Sequence, residues 1–387
     1  MDLMRGNRFL KFLDFWVGVP LTMILAVFMR RNRGVELPSR KYDRILVVKL
    51  AALGDAVLII PALRSLRESF PHAEIAVLAA RFTEPFLRDF PEYVNKFLIV
   101  EPRLFFRRPR YLFDLLRNLR ALDCDLAIDF EQWVRITPVL LALAKIPFRL
   151  GYRSKHQYRH FLFTHSVERS SDIHVVDNFL RLSGMVGRKG TSTALETKVD
   201  PNALQRVRKD LIQRGWNERC TLIVLHPGCG IHGFPREWPP PFFANLAMRL
   251  TQNRDAFFVI SGTSEEIPVL DQVHKLFSQS AILFVIPDHT DFIALLSLSS
   301  LFVSGNNGAM HLAASLQVSQ VALHGPTDPK RWGPMNPNAV VIQSRCPGCP
   351  CLDLGFEYHR KDGYCMKQID VEEVYRACTM LLEKFSR

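Results

Sequence analysis

The stretch LFVSGNNGAMHLAASLQVSQVALHG, residues 301–325, decides the fold. LFVSGN and QVALHG read as two short buried strands. Between them Asn306, Asn307 and Gly308 form a turn, and Gly308, Ala309 and Met310 open a helix that continues through His311. Strand, helix and strand in one short span imply a crossover between parallel strands. A helix that starts there turns its first free N–H groups to whatever lies beyond the sheet, and such groups suit a pyrophosphate. The polar side chains of the turn are amides, which both donate and accept, where an acid only accepts.

The same alternation extends outward in both directions. TLIVLHPG, AFFVISG, AILFVIP and AVVIQS read as further strands of this domain, and RILVVKL, EIAVLAA, KFLIV and DLAIDF as strands of an earlier one. AVLIIPALRSLRESF between two of them reads as a helix with Val57, Ile60, Leu63 and Leu66 on one face and Phe70 near it. The polar, glycine-containing run at 187–201 marks the linker. The expected fold class is therefore α/β, with two doubly wound, Rossmann-like domains facing a cleft. The expected division is 1–40, an N-terminal hydrophobic segment; 41–190, the first domain; 191–370, the second; and 371–387, a last helix free to pack on either.

The chain has 387 residues, 48% of them hydrophobic and 23% charged, a globular composition. Its net charge of +12 suits an anionic partner: nucleotide, phosphorylated sugar or acidic lipid. No nucleic-acid motif accompanies that charge, so nucleic acid is not expected. FWVGVPLTMILAVFM, residues 15–29, carries no charge and is interrupted by Pro20. As a helix it is about 22 Å long, short of the ~30 Å hydrocarbon core. Arg5, Arg8 and Lys11 precede it, and Arg30, Arg31 and Arg33 follow. The expectation is a helix or helical hairpin lying in the cytoplasmic leaflet. The plainer alternative is a hydrophobic helix packed on the protein's own body.

Several strand ends carry candidate chemistry. After RILVVKL comes LGD, where Gly54 permits a tight turn and Asp55 opens a helix, either as an N-cap or as a cleft-facing base. After TLIVLH come Gly228 and then Arg236, a cation that suits phosphate; after AFFVISG come Glu265 and Glu266, suited to ribose hydroxyls or to the first turn of a helix. Pro326 and Pro329 stiffen the loop that follows QVALHG. DCD at 123–125 precedes a strand and is read as chance.

Taken in order, KLAALGDAVLIIPALRSLRESFPHAEI, LHPG with REWP, and VSGNNGAMHLAASLQVSQVALHGPTDPKRWGP resemble glycosyltransferase family 9, the bacterial lipopolysaccharide heptosyltransferases. The resemblance spans most of residues 41–345. It implies a GT-B fold, a nucleotide-diphosphate sugar donor (ADP-heptose in typical members), and metal-independent inversion at the anomeric carbon. It also implies a lipid-linked, phosphorylated saccharide acceptor at the cytoplasmic face of the bacterial inner membrane, with no cofactor. The family's general base falls on Asp55, and its phosphate-binding lysine is replaced here by Arg236. Its glutamate that contacts the ribose or base matches Glu266. Gly228, Asn306, Asn307, Gly308, Ala309, Met310 and His311 complete the expected donor site. One departure stands out: the family usually has an aspartate where this chain has Asn306, which implies another sugar or altered contacts in preference to loss of activity.

Two basic, aromatic stretches, 103–120 and 148–163, suit the acceptor, with Gly54, Arg108, Arg153 and Lys155 as candidates; solvated faces and core packing are the plain reading. Cys346, Cys349, Cys351 and Cys365 form a C-x2-C-x-C-x13-C array. Four thiolates suit zinc or an iron–sulfur cluster, while reduced cysteines or one disulfide would brace a loop. The reading adopted is no metal. Two other functions fit the same residues: a catalytically silent, membrane-bound scaffold, or a GT-B enzyme using another nucleotide sugar, such as an epimerase.

Overall fold

The computed structural model describes residues 12, 14–28, 37, 42–50, 52–101, 104, 108, 110–187, 192–230, 233–277, 281–352 and 363–384. The chain divides into two compact units, Met1–Thr193 and Ala194–Arg387.

Unit one is a six-stranded sheet built from β1 (Arg44–Lys49), β2 (Glu74–Ala80), β3 (Lys96–Val100), β4 (Leu126–Asp129), β5 (Phe148–Arg153) and β6 (His165–Glu168). Their spatial order is β3-β2-β1-β4-β5-β6 and every pairing is parallel. Unit two repeats the plan with β7 (Thr221–His226), β8 (Ala256–Gly262), β9 (Ala281–Val285), β10 (Leu301–Gly305), β11 (Gln320–His324) and β12 (Ala339–Gln343). Here the order is β12-β11-β10-β7-β8-β9, again all parallel. Counted within each unit, both sheets follow the doubly wound order, which reverses between the first and fourth strands. That reversal opens a crevice beyond the strand ends, and loops at β1 and β4, or β7 and β10, line it.

The apolar strand runs form the cores. Leu46, Val48, Leu78 and Ala127 are buried in unit one; Ile223, Leu225, Val303 and Leu323 are buried in unit two. All ten strands read from the sequence are present; β5 lies in the basic 148–163 stretch, which does not read as a strand, and β6 follows just after it. The correction has a local cause. Arg149 is buried because its guanidinium donates to the carbonyls of Ile146 and Leu162. Arg159 is wholly buried against Asp129, at 2.7 Å.

The helix at 57–70 is also revised. It is two helices, Leu53–Leu58 and Ile60–Ser69, separated at Ile59. Val57, Ile60, Leu63 and Leu66 are all buried, as are Ala56, Leu58 and Ala62 between them. The last helix, Val371–Lys384, packs within unit two on Pro240–Gln252 and strands β10 to β12. It buries Val374, Ala377, Cys378, Leu381 and Leu382.

The N-terminal apolar segment forms the helix Gly18–Phe28. Pro20 falls in its first turn, where a missing N–H costs no intrahelical bond. Ala26 packs with Val139, Ala142 and Leu162 of unit one. Asp14 pairs with Arg135 at 2.5 Å. The opposite side is exposed: Val17, Leu21, Ile24 and Phe28 follow one helical stripe, with Phe28 81% accessible. No helix among the described residues is long and apolar enough to cross a membrane. Arg5, Arg8, Lys11, Arg30, Arg31 and Arg33 lie outside the described residues.

Candidate active site

In unit one the loops at the β1–β4 switch point enclose a buried charge cluster. Asp55 lies in the first turn of Leu53–Leu58, not at its N-cap; the cap is Ala52, which makes no side-chain cap bond. Ala52 holds φ 64° and ψ 160°, a region nearly restricted to glycine and strained by ~1–3 kcal/mol for other residues. This turn delivers Asp55 to Lys49, the last residue of β1, at 2.9 Å. The same ammonium lies 3.1 Å from Glu131, and Glu131 also accepts the Leu50 N–H at 2.7 Å. All three side chains are buried. Desolvation alone would depress Lys49; Asp55 and Glu131 outweigh it and hold it above the ordinary lysine value.

A second buried pair fixes that cluster. Asp129 accepts from Arg159, from Thr137 Oγ1 at 2.6 Å and from the Glu131 N–H at 2.9 Å. Arg159 donates to the carbonyls of Glu131 and Val134. Burial raises the Asp129 carboxyl, with Arg159 opposing. Asp129 and Arg159 thus set the backbone of Glu131, Glu131 sets Lys49, and Lys49 sets Asp55. Asp55 and Gly54 were candidates from the sequence. Lys49, Glu131, Asp129 and Arg159 were missed, although a lysine ending an apolar strand beside the LGD turn was a readable signal.

Arg153 ends β5 on the same carboxyl edge, Lys155 follows in a turn, and both are exposed. Arg108 is exposed beyond the end of edge strand β3. Asp125 of the DCD run accepts the N–H groups of Asp43 and Arg44, a role within the fold.

In unit two the β7–β10 switch point collects the donor-site candidates. Asn307 caps the helix Gly308–Ser315: its Oδ1 accepts the Met310 N–H at 3.0 Å while its Nδ2 donates to the Gly228 carbonyl at 2.9 Å. One amide therefore ties the β10 loop to the β7 loop, which an acid could not do. This corrects the expectation for Met310: its N–H is consumed by the cap, and its side chain is wholly buried in the core. The N–H groups of Gly308 and Ala309 have no partner among the described residues. His311 is buried one turn in.

Asn306 is 6% exposed and donates to the Trp332 carbonyl at 3.0 Å. Its amide is thus placed by a backbone acceptor that would repel a carboxylate. Arg236, in the short 3-10 turn Phe234–Arg236, donates to the carbonyls of Asn306 and Cys229 at 3.0 and 3.1 Å. Glu266 is buried and accepts the N–H groups of Gly230 and Thr263 at 2.7 and 2.8 Å. Burial acts to raise this carboxyl, but nearby His226 and those N–H groups outweigh it, leaving it below its ordinary value. Gly228 must be small here, since a Cβ would fall 2.3 Å from the Glu266 carboxyl group. A cavity of about 430 Å³ adjoins this edge, lined in part by Glu266, Gly230, Trp238, Pro240 and Val269.

The cysteine array closes only in part: Cys346, Cys349 and Cys365 have their sulfurs within 4.8 Å of one another, and Cys351 stands outside the group. Cys349 and Cys365 form a disulfide.

Two parallel, doubly wound sheets, each with polar residues gathered at its switch point, make the architecture of the GT-B fold. The chain matches the family model "Glycosyltransferase family 9 (heptosyltransferase)" over residues 112–358, and it belongs to that family. It is 24% identical over 340 residues to lipooligosaccharide heptosyltransferase 2 of Campylobacter jejuni, covering 86% of this chain and 96% of that one. Its fold matches the ADP-heptose lps heptosyltransferase II of E. coli with a TM-score of 0.69 at 21% identity, covering 89% of this chain and 100% of that one. A glycosyl transferase family 9 structure from Veillonella parvula gives 0.74 at 20% identity, covering 90% and 99%.

Proposed function

We propose that this chain moves a heptose from ADP-heptose to a lipid-linked, phosphorylated saccharide acceptor in lipopolysaccharide core synthesis, with inversion and without a metal in the transfer step. The relatives' names, an ADP-heptose heptosyltransferase among them, support the donor. The observation that carries the chemistry is the Lys49 ammonium shared by two buried carboxylates. Asp55 is on this reading the base that accepts the acceptor hydroxyl's proton as the oxygen attacks the anomeric carbon. Attack opposite the departing ADP inverts that carbon. The leaving diphosphate gains charge, and unit two offers it the Gly308 and Ala309 N–H groups and the Arg236 guanidinium. Glu266 retains acceptor capacity for ribose hydroxyls beyond its two N–H partners.

The exposed stripe Val17, Leu21, Ile24 and Phe28 supports docking at the cytoplasmic face of the inner membrane, with the basic flanks attracted to anionic lipid. Arg108, Arg153 and Lys155 are offered to acceptor phosphates.

Transfer assays with ADP-heptose and an acceptor from a heptose-deficient envelope test the reading. Asp55→Asn should lose ~10²–10⁴ in turnover while still binding ADP, and Arg236→Ala should weaken ADP binding. Wild-type turnover by Asp55→Asn would overturn the base assignment. Mass spectrometry of the envelope glycolipid from a deletion strain identifies the sugar and its position.

A further inference from the structure

We infer that Cys346, Cys349 and Cys365 form a thiolate site for a transition metal ion. Pro347 and Gly348 make the turn that starts it: the Cys349 N–H donates to the Cys346 carbonyl at 3.1 Å, and Gly348 takes φ +82°. Proline then glycine at the two central positions is the sequence such a turn demands, and it brings both thiols to one side. Cys365 arrives from the helix Tyr364–Lys367. Its sulfur lies 3.7 Å from that of Cys346, and both residues are buried. Thiolates at ~2.3 Å from a tetrahedral metal stand roughly 3.8 Å apart, so this separation is one edge of such a site.

The Cys349–Cys365 disulfide and the metal are alternative uses of the same sulfurs. The disulfide employs two and leaves the Cys346 thiol outside the bond, buried beside them with its sulfur 3.5 Å from the Pro347 carbonyl. A metal employs all three. Cys124, Cys220, Cys229 and Cys378 are free thiols elsewhere in the chain, which fits a reduced protein in which the three are available as ligands. Each thiol gives its proton to solvent as its sulfur–metal bond forms, and no electron is transferred. Soft thiolates select zinc or iron over magnesium or calcium.

The ion would staple the segment after β12 to Tyr364–Lys367. That short helix packs on the Phe234–Arg236 turn and sends Met366 into the core of unit two.

Elemental analysis of the full chain, purified under reductant without chelator, tests this. Near-stoichiometric zinc or iron is expected, and the element found tells which. Cys346→Ser should lose the metal; Cys220→Ser should keep it. Cobalt(II) added to the chelator-stripped wild type should give thiolate-to-cobalt charge-transfer absorption, an arm that needs no variant to fold. The inference is overturned by unchanged metal in Cys346→Ser, by a wild type without that absorption, or by a Cys349–Cys365 linked peptide that persists under reductant.

Discussion

Lys49 shows how much one side chain can carry. Its ammonium pairs with both Asp55 and Glu131, and all three are buried. Replacing it with methionine preserves length and removes the charge, so two carboxylates remain desolvated without it. Breaking one side of a buried pair costs ~3–5 kcal/mol. Lys49→Met should therefore lower the urea midpoint by that equivalent, whereas Glu131→Gln, which leaves one cation with one anion, should cost less. Asn307 gives a second residue-scale prediction. Asn307→Asp keeps the cap to Met310 but turns an oxygen toward the Gly228 carbonyl. A buried acceptor left unsatisfied costs ~1–3 kcal/mol, readable as a lower melting temperature. Asn306→Asp meets the Trp332 carbonyl in the same way, so reverting to the family's acid should not be silent. The sequence raised the question of why this turn carries amides. Its answer needed the partners, two backbone carbonyls distant in sequence.

Among the elements, strands with apolar sequences were legible and those with charged ones were not. RILVVK, EIAVLAA and KFLIV announce themselves, because burial on both faces of a parallel sheet demands such runs. FRLGYR does not, since its buried Arg149 depends on carbonyls supplied by other segments. Strand ends were likewise readable as places, but not as partnerships. His324 ends β11 wholly buried, with Nδ1 3.0 Å from Thr327 Oγ1. Burial lowers its pKa to about 3. The unfolded chain binds a proton there near pH 6.5 and the folded chain does not, so stability rises with pH between these values. Acidification from pH 6.5 toward 3 should remove up to ~1.4 kcal/mol per pH unit through this group. Buried His226, also lowered by desolvation, acts in the same direction. The difference between wild type and His324→Gln, followed by denaturant titration across this range, isolates the β11 contribution: the variant's pH slope should be shallower.

At the scale of the molecule, each unit carries its own sheet, its own core and its own switch point, which is why a short stretch near residue 310 sufficed to read the second of them. Where the second unit ends was not legible. The helix Val371–Lys384 looks amphipathic in sequence and could serve any apolar surface, and only packing assigns it to unit two. Residues 194–387 expressed alone should therefore unfold cooperatively, and 194–370 should not. Val374, Leu381 and Leu382 are buried by that helix, and each such side chain is worth about 1.5–3 kcal/mol. Their sum reaches the whole stability of an ordinary domain, ~5–15 kcal/mol. The longer fragment also isolates donor binding, because Gly228, Arg236, Glu266 and Gly308 all lie within it. ADP at about 100 times its Kd should add ~2.7 kcal/mol. For a domain of this size that raises the melting temperature by roughly 5–10 °C. A fragment that melts cooperatively at one temperature with and without ADP would show that unit two by itself does not hold the nucleotide. A shift abolished by Arg236→Ala would place the diphosphate at the β7–β10 switch point.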